Sequence, residues 1–184
     1  MKTRIFVSGK IKSTYKGLDL QPLPNESGDD VPLNTWNAHF KTFERRKCWL
    51  VTHAASRYTV FIPDIRANML KDFKHIFLDC LVNQLLNTLY QDDLRVTDPD
   101  KIARFIGDID FFPTNNDKGC MGTLNQRGHE FDACRFVNGL SFEEFSFQEM
   151  GAISNWYATM KVNGKQQRIN PVIELTTIIN NKIP

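Results

Sequence analysis

Between Trp36 and Phe43 the chain alternates, with Trp36, Ala38 and Phe40 apolar and Asn37, His39 and Lys41 polar. A period of two marks a half-buried strand, because successive side chains point to opposite sides of a sheet. Two further runs, Lys47 to His53 and Arg57 to Ile62, are rich in Val, Thr, Trp, Tyr and Phe and are joined by Ala54-Ala55-Ser56. These residue types suit a pleated, half-buried surface, so a three-stranded antiparallel meander is predicted. Pro63 closes it, having no N–H to give to a ladder.

The period then changes. From Arg66 to Tyr90 apolar residues fall at Met69, Leu70, Phe73, Ile76, Phe77, Cys80, Leu81, Leu85, Leu86 and Leu89. Spacings of three and four place them on one face of a helix, with Lys71, Asp72, Lys74, Asp79, Asn83 and Asn87 opposite and His75 beside that polar face. Such a helix needs a sheet to cover its stripe. The predicted class is α+β: a small antiparallel meander packed against a long amphipathic helix, with further helices in the C-terminal half.

Weaker signals fill in the rest. Arg4 to Val7 reads as a short strand, and Ser8 as the cap of a helical turn that runs through Tyr15 and stops at Gly17. Residues 18–34 carry three prolines, Asp29-Asp30 and Asn25-Glu26-Ser27-Gly28, a composition that predicts an irregular loop. Asp98-Pro99 has the form of a cap and first turn for a helix to Ile106, ended by Gly107, and Ile109 to Pro113 reads as a strand. A polar turn, Thr114 to Gly119, precedes a helix predicted from Cys120 to Phe136, in which Gly122 and Gly128 lower the propensity. Ser141 and Glu144 form a capping-box pattern ahead of a helical stripe through Phe142, Phe145, Ile153, Trp156, Tyr157 and Met160, stopped by Asn163-Gly164. Asn170-Pro171 opens a closing helix through Ile179.

Composition limits the options. With 184 residues, 41% hydrophobic and 11% aromatic, the chain fits a single domain over 1–184 with a core of its own. Charge is near balance, 23 basic against 21 acidic residues, so a domain built mainly around phosphate is not expected, although a local basic patch is compatible. The apolar run Ile5-Phe6-Val7 is too short for a signal peptide, and no stretch has the length of a membrane span, so the expectation is a cytoplasmic protein without membrane contact. Cys48, Cys80, Cys120 and Cys134 lack zinc or redox spacing and read as free thiols, with no metal or cofactor expected.

A resemblance enters on two segments. Trp36-Asn37-Ala38-His39-Phe40, Arg45-Arg46-Lys47, Trp49-Leu50-Val51-Thr52 and Ser56-Arg57-Tyr58-Thr59-Val60 resemble an uncharacterised bacterial family, a domain of unknown function. Its members show a Trp-Tyr-Ala-His or Asn pattern, a basic cluster and a hairpin with Thr-Arg-Tyr. Thr114-Asn115-Asn116 and Met121-Gly122-Thr123-Leu124-Asn125 are similar to that family's Asn-Arg-Ser-x-x-Gly-Ser-Met-Asn segment. Asn37 departs from the family's Tyr, and Asp117-Lys118 from its Arg-Ser. The resemblance implies a shared domain and no activity.

Three groups of residues carry candidate chemistry. Arg45, Arg46 and Lys47 form a basic hairpin patch able to contact nucleic acid or an acidic partner, with Trp49 or Tyr58 available to stack on a base; the plain alternative is a solvated turn that blunts a sheet edge. His39 and His53 on neighbouring strands, with Arg57, would suit a small metal-independent RNase-like enzyme or toxin if the fold brought them together. Thr114, Asn116, Gly122 and Asn125 lie at a helix start that could hold an anion or simply cap the helix. His129-Glu130 and Asp132 lack the second histidine of a zinc site and read as a solvent face with Arg135 as an ion-pair partner. Phe142, Phe145, Phe147, Trp156 and Tyr157 exceed what one stripe needs, which leaves a protein partner or a homo-oligomer open. The functional expectation is a binding or regulatory module, with the RNase-like enzyme as its alternative.

Overall fold

The structure, a computed structural model, describes residues 2–24, 33–89, 98–162 and 165–183. Strand β1 (Lys2–Val7) leads into helix α1 (Gly9–Thr14), and the predicted meander follows as β2 (Thr35–Phe43), β3 (Arg46–His53) and β4 (Thr59–Ile62). A 3₁₀ turn, Ala67–Asp72, precedes α2 (Phe73–Leu89), then α3 (Pro99–Ile106), β5 (Asp108–Pro113) and α4 (Lys118–Asn138). The chain continues through α5 (Phe147–Ser154), the paired strands β6 (Ala158–Val162) and β7 (Lys165–Ile169), and α6 (Pro171–Lys182).

The class is α+β, as the periodicity predicts, but the sheet is larger than the meander. Its strand order is β4-β3-β2-β1-β5, with β2, β3 and β4 antiparallel and both β2 and β5 parallel to β1. Parallel neighbours are joined by long crossovers rather than tight turns, so no local signal announces them. The strands read at Arg4 to Val7 and Ile109 to Pro113 turn out to be an interior strand and the edge strand of one mixed sheet.

Register decides what each face carries. The pairs Trp36↔His53, Ala38↔Val51 and Phe40↔Trp49 share the first face, while Asn37↔Thr52, His39↔Leu50 and Lys41↔Cys48 share the second. On the first face α2 lays Phe73, Phe77, Leu81 and Leu85 over Trp36, Trp49, Val60 and Ile62, joined by Ile11 and Tyr15 of the α1 segment and by residues of α3 and α6. Trp36 meets Phe77 edge-on at 5.1 Å, a favoured aromatic geometry. Each such large side chain contributes about 1.5–3 kcal/mol through burial. The second face is covered by α4 and α5, through an aromatic cluster of Phe43, Phe61, Phe131 and Phe145 with Leu50, Leu124 and Met150.

The outer edge of β4 is closed by side-chain amides. Phe61 N–H donates to Gln84 Oε1 at 3.1 Å while Gln84 Nε2 donates to Phe61 O at 2.6 Å, and Asn155 makes the same pair with Thr59, at 2.8 Å both ways. Two carboxamides thus stand where a sixth strand would, which removes an aggregation-prone edge. Gly151 makes room for this, since a Cβ there would stand 2.4 Å from Gln84 Oε1.

Two expectations need correction, and two others fall wholly or partly outside the described residues. The helical stripe read through Met160 ends at Ser154, and the chain re-forms as β6; Ser141 and Glu144 bond to each other, but the helix starts at Ser146, whose Oγ accepts from Glu149 N. Ser146-x-x-Glu149 is a second copy of the same capping pattern, so the motif alone could not choose between them. Asn163-Gly164, read as a helix stop, lies outside the described residues. The helix read from Arg66 begins as a 3₁₀ turn, and Tyr90 lies outside the described residues. Of the loop read over 18–34, residues 25–32 lie outside the described residues, Leu20 bridges to Phe111, and Asn34 is a buried tie: its Nδ2 donates to Thr3 Oγ1 and Phe105 O, both at 2.5 Å, and its Oδ1 accepts from Trp36 Nε1 at 2.7 Å.

Candidate functional site

The basic hairpin is built on a tight two-residue turn. Phe43 pairs with Arg46, and the two residues between them, Glu44 and Arg45, have φ of 46° and 69°. Positive φ at both positions matches the twist of the flanking strands but favours Asn-Gly, so Glu-Arg holds the turn at a cost. Arg45 is exposed at the tip. Arg46 donates to Glu143 Oε1 at 2.5 Å and lies 4.1 Å from the Phe142 ring centre, while the Lys47 ammonium sits 5.7 Å above Tyr15.

Below the tip lies a cleft of about 350 Å³, lined by Thr14, Tyr15, Arg45, Arg46, Lys47 and the Asp64 to Ala67 segment. Its one carboxylate, Asp64, is held by Arg66 at 2.5 Å. Exposed Lys12 and Lys16 flank Thr14 and Tyr15 in sequence. Trp49 and Tyr58, expected to stack on a base, are both fully buried, and Trp49 Nε1 donates to Tyr15 Oη at 3.1 Å. The patch therefore offers charge without an aromatic platform.

The structure does not bring His39, His53 and Arg57 together. His53 faces the first side of the sheet, wholly buried against Trp36 and Phe105, with Nδ1 2.9 Å from Ser56 Oγ and Nε2 2.5 Å from Leu33 O. Burial pushes its pKa down to about 4, the Leu33 carbonyl opposes that, and Arg57 adds to it. His39 is on the opposite face, half-buried, with Nδ1 3.0 Å from Ser8 Oγ. Burial lowers its pKa first, followed by the charges of Lys10 and Lys41. Arg57, with φ of 62°, reaches under the first turn of α4, where Nη1 lies 2.6 Å from Cys120 Sγ and 3.8 Å from Asp117 Oδ2. Two residues an odd number of positions out of register cannot share a face, and sequence spacing does not fix that register.

At the Thr114 to Asn125 segment, the cap is Asp117, whose Oδ1 accepts from Cys120 N at 2.9 Å. Thr114 Oγ1 accepts from Asn116 N at 3.1 Å, and Asn116 has φ of 56°, so both shape the turn ahead of the helix. Gly122 and Asn125 are exposed on α4 itself, away from the turn. Gly119 and Gly128 have packing reasons: a Cβ would stand 2.7 Å from Arg57 Nη2 and 2.5 Å from Lys41 Cε respectively. Glu130 binds Arg127 and Asp132 binds Lys41, while Arg135 lies over the Phe43 ring. Phe142, Phe145 and Phe147 are absorbed in the aromatic cluster, and Trp156 and Tyr157 remain 44% and 43% exposed.

Residues 5–174 match a protein family described as Domain of unknown function (DUF6933). The chain belongs to that family. The match spans both faces of the sheet and everything through the first turn of α6, so the fold described here is that of the family's domain. A search of curated proteins finds no match. No helix among the described residues is long and apolar enough to cross a membrane.

The sequence reading missed Tyr15, Asp64 and Arg66 as walls of the basic cleft, and Ser8 as a partner of His39. Ser8 was legible as a cap, since Ile11 N does donate to its Oγ at 3.4 Å, but its second contact depends on the parallel pairing of β1 with β2.

Proposed function

We propose that this domain is a binding module that holds the backbone of a single-stranded nucleic acid in the cleft between the β2–β3 hairpin tip and α1, by charge and without reading bases. The observation that carries this reading is the cleft's composition. Arg45 and Lys47 border it together with Arg46, bound to Glu143, and Arg66, which holds the cleft's one acid, and Arg45 stands exposed in a conformation that costs the turn stability. Strained residues kept at an exposed tip point to a use beyond folding. With Trp49 and Tyr58 in the core, stacking is not available there, and phosphate contacts position a ligand without specifying sequence. The near-balanced net charge makes the attraction local to this face.

The test is anisotropy titration of a labelled single-stranded oligonucleotide at low salt, with polyglutamate as competitor. Native protein is expected to bind oligo(dT) and oligo(dA) alike, and the double variant Arg45→Ser/Lys47→Ser to bind roughly tenfold more weakly. Equal affinity in the variant would remove the hairpin from the account. Polyglutamate competing as well as the oligonucleotide itself would reassign the cleft to an acidic protein partner.

A further inference from the structure

β1 and β5 are parallel neighbours whose chains leave toward opposite faces of the sheet. Beyond β1, α1 packs Ile11 onto the first face, whereas beyond β5, α4 packs Leu124 and Phe131 onto the second. Where adjacent parallel strands part in this way a crevice opens at their carboxyl ends, and open α/β sheets bind ligands there. Register brings Val7 beside both Pro113 and Ala38, so the residues at that point are Ser8, Thr114 and His39.

Ser8 and His39 are already in contact there. Ser8 Oγ lies 3.0 Å from His39 Nδ1, within the reach required of a nucleophile and its base, and both residues are partly exposed. Ile11 N–H points at the same Oγ at 3.4 Å, which stabilises negative charge on it. Lys10 on α1 and Lys41 on β2 lie close enough to act on His39, and Asp132 of α4, facing the same region, is bound to Lys41 at 2.7 Å. Burial and these two ammonium groups keep the imidazole neutral at pH 7, the form that can accept a proton.

We propose that Ser8 and His39 form a nucleophile–base pair at this crevice that hydrolyses small carboxylic esters carrying a negative charge. Ser8 Oγ bonds to the acyl carbon as its proton passes to His39 Nδ1. The acyl–oxygen bond to the leaving group breaks, and His39 returns the proton to the departing alkoxide. Water then attacks the acyl-serine, giving its proton to His39, and the carboxylic acid departs as Ser8 Oγ regains a proton. The Lys10 ammonium attracts an anionic substrate, Lys41 being held by Asp132. No carboxylate bonded to the far nitrogen of His39 is found among the described residues, and an asparagine in place of a triad's aspartate costs about 10⁴-fold, so turnover is slow.

The experiment combines fluorophosphonate labelling, located by peptide mass, with hydrolysis of p-nitrophenyl acetate and of its anionic hemisuccinate analogue. Labelling is expected at Ser8, with the hemisuccinate favoured several-fold and a rate that falls in acid as His39 protonates below pH 6.5. Ser8→Asn keeps a good helix cap while removing the hydroxyl, so it should fold and lose both labelling and turnover. His39→Gln should lose the acid limb of the pH profile. Labelling elsewhere than Ser8, or hydrolysis undiminished in a folded Ser8→Asn protein, would overturn the proposal. It stands apart from the nucleic-acid reading, because Arg45→Ser/Lys47→Ser leaves this pair in place.

Discussion

The two faces of the sheet use the same strands for different ends. On the first, Trp36, Trp49, Val51, Val60 and Ile62 meet an apolar helix, and His53 is locked neutral among aromatic rings, while Lys47 at the rim lies over Tyr15. On the second, Asn37, His39 and Lys41 share the surface with Leu50 and Phe61, and polar contacts to Ser8, Asp132 and Cys120 run beside the aromatic cluster. Where a face closes over its polar groups, as at His53, they can only stabilise; where they stay partly open, at His39 on the second face and at Lys47 on the rim of the first, they can also bind. Two histidines that look equivalent in sequence differ in role for this reason alone.

The largest test of the contrast lies on the first face. Phe77→Ala leaves a cavity against Trp36 and should lower the unfolding free energy by about 3–5 kcal/mol in denaturant titration, whereas Lys41→Met on the second face should shift it by less than about 1 kcal/mol. Comparable losses would erase the distinction.

Next comes pH. In the folded chain His53 stays neutral until about pH 4, while in the unfolded chain it binds a proton near pH 6.5. Between those values the unfolded state holds the extra proton, so stability falls as the pH drops through that window, by about 3 kcal/mol in all. His53→Gln should flatten this part of the stability profile, and His39→Gln should leave most of it. The edge of β4 offers a smaller effect: Gln84→Ala strips both backbone groups of Phe61 of their partners and should cost about 2 kcal/mol, with tighter aggregation limits as the exposed edge pairs.

How much of this was legible follows from range. The meander and the stripe of α2 rest on local periodicity; the meander formed where the pattern put it, and the α-helix begins at Phe73, after a 3₁₀ turn. The parallel placement of β1 and β5 rests on crossovers that leave no short-range mark, and with it went the meeting of Ser8 with His39. Trp49 and Tyr58 were misjudged because a strand covered on both faces buries its aromatics whichever way they point. The basic tip was readable as a cluster, but its cleft was not, since Tyr15 and Arg66 arrive from separate segments of the chain.

The smallest predicted effect separates stability from binding at that tip. Glu44→Asn/Arg45→Gly supplies the residues the turn prefers and should raise stability by about 1 kcal/mol while weakening oligonucleotide binding. A gain in both would mean that the strained arginine serves no ligand.

The most direct measurement of the central claim is the salt dependence of oligonucleotide binding. For single strands, the logarithm of affinity falls with the logarithm of salt concentration by about 0.7 for each phosphate neutralised. The account predicts that Arg45→Ser/Lys47→Ser reduces that slope by about 1.4. An unchanged slope would show that Arg45 and Lys47 do not touch the backbone.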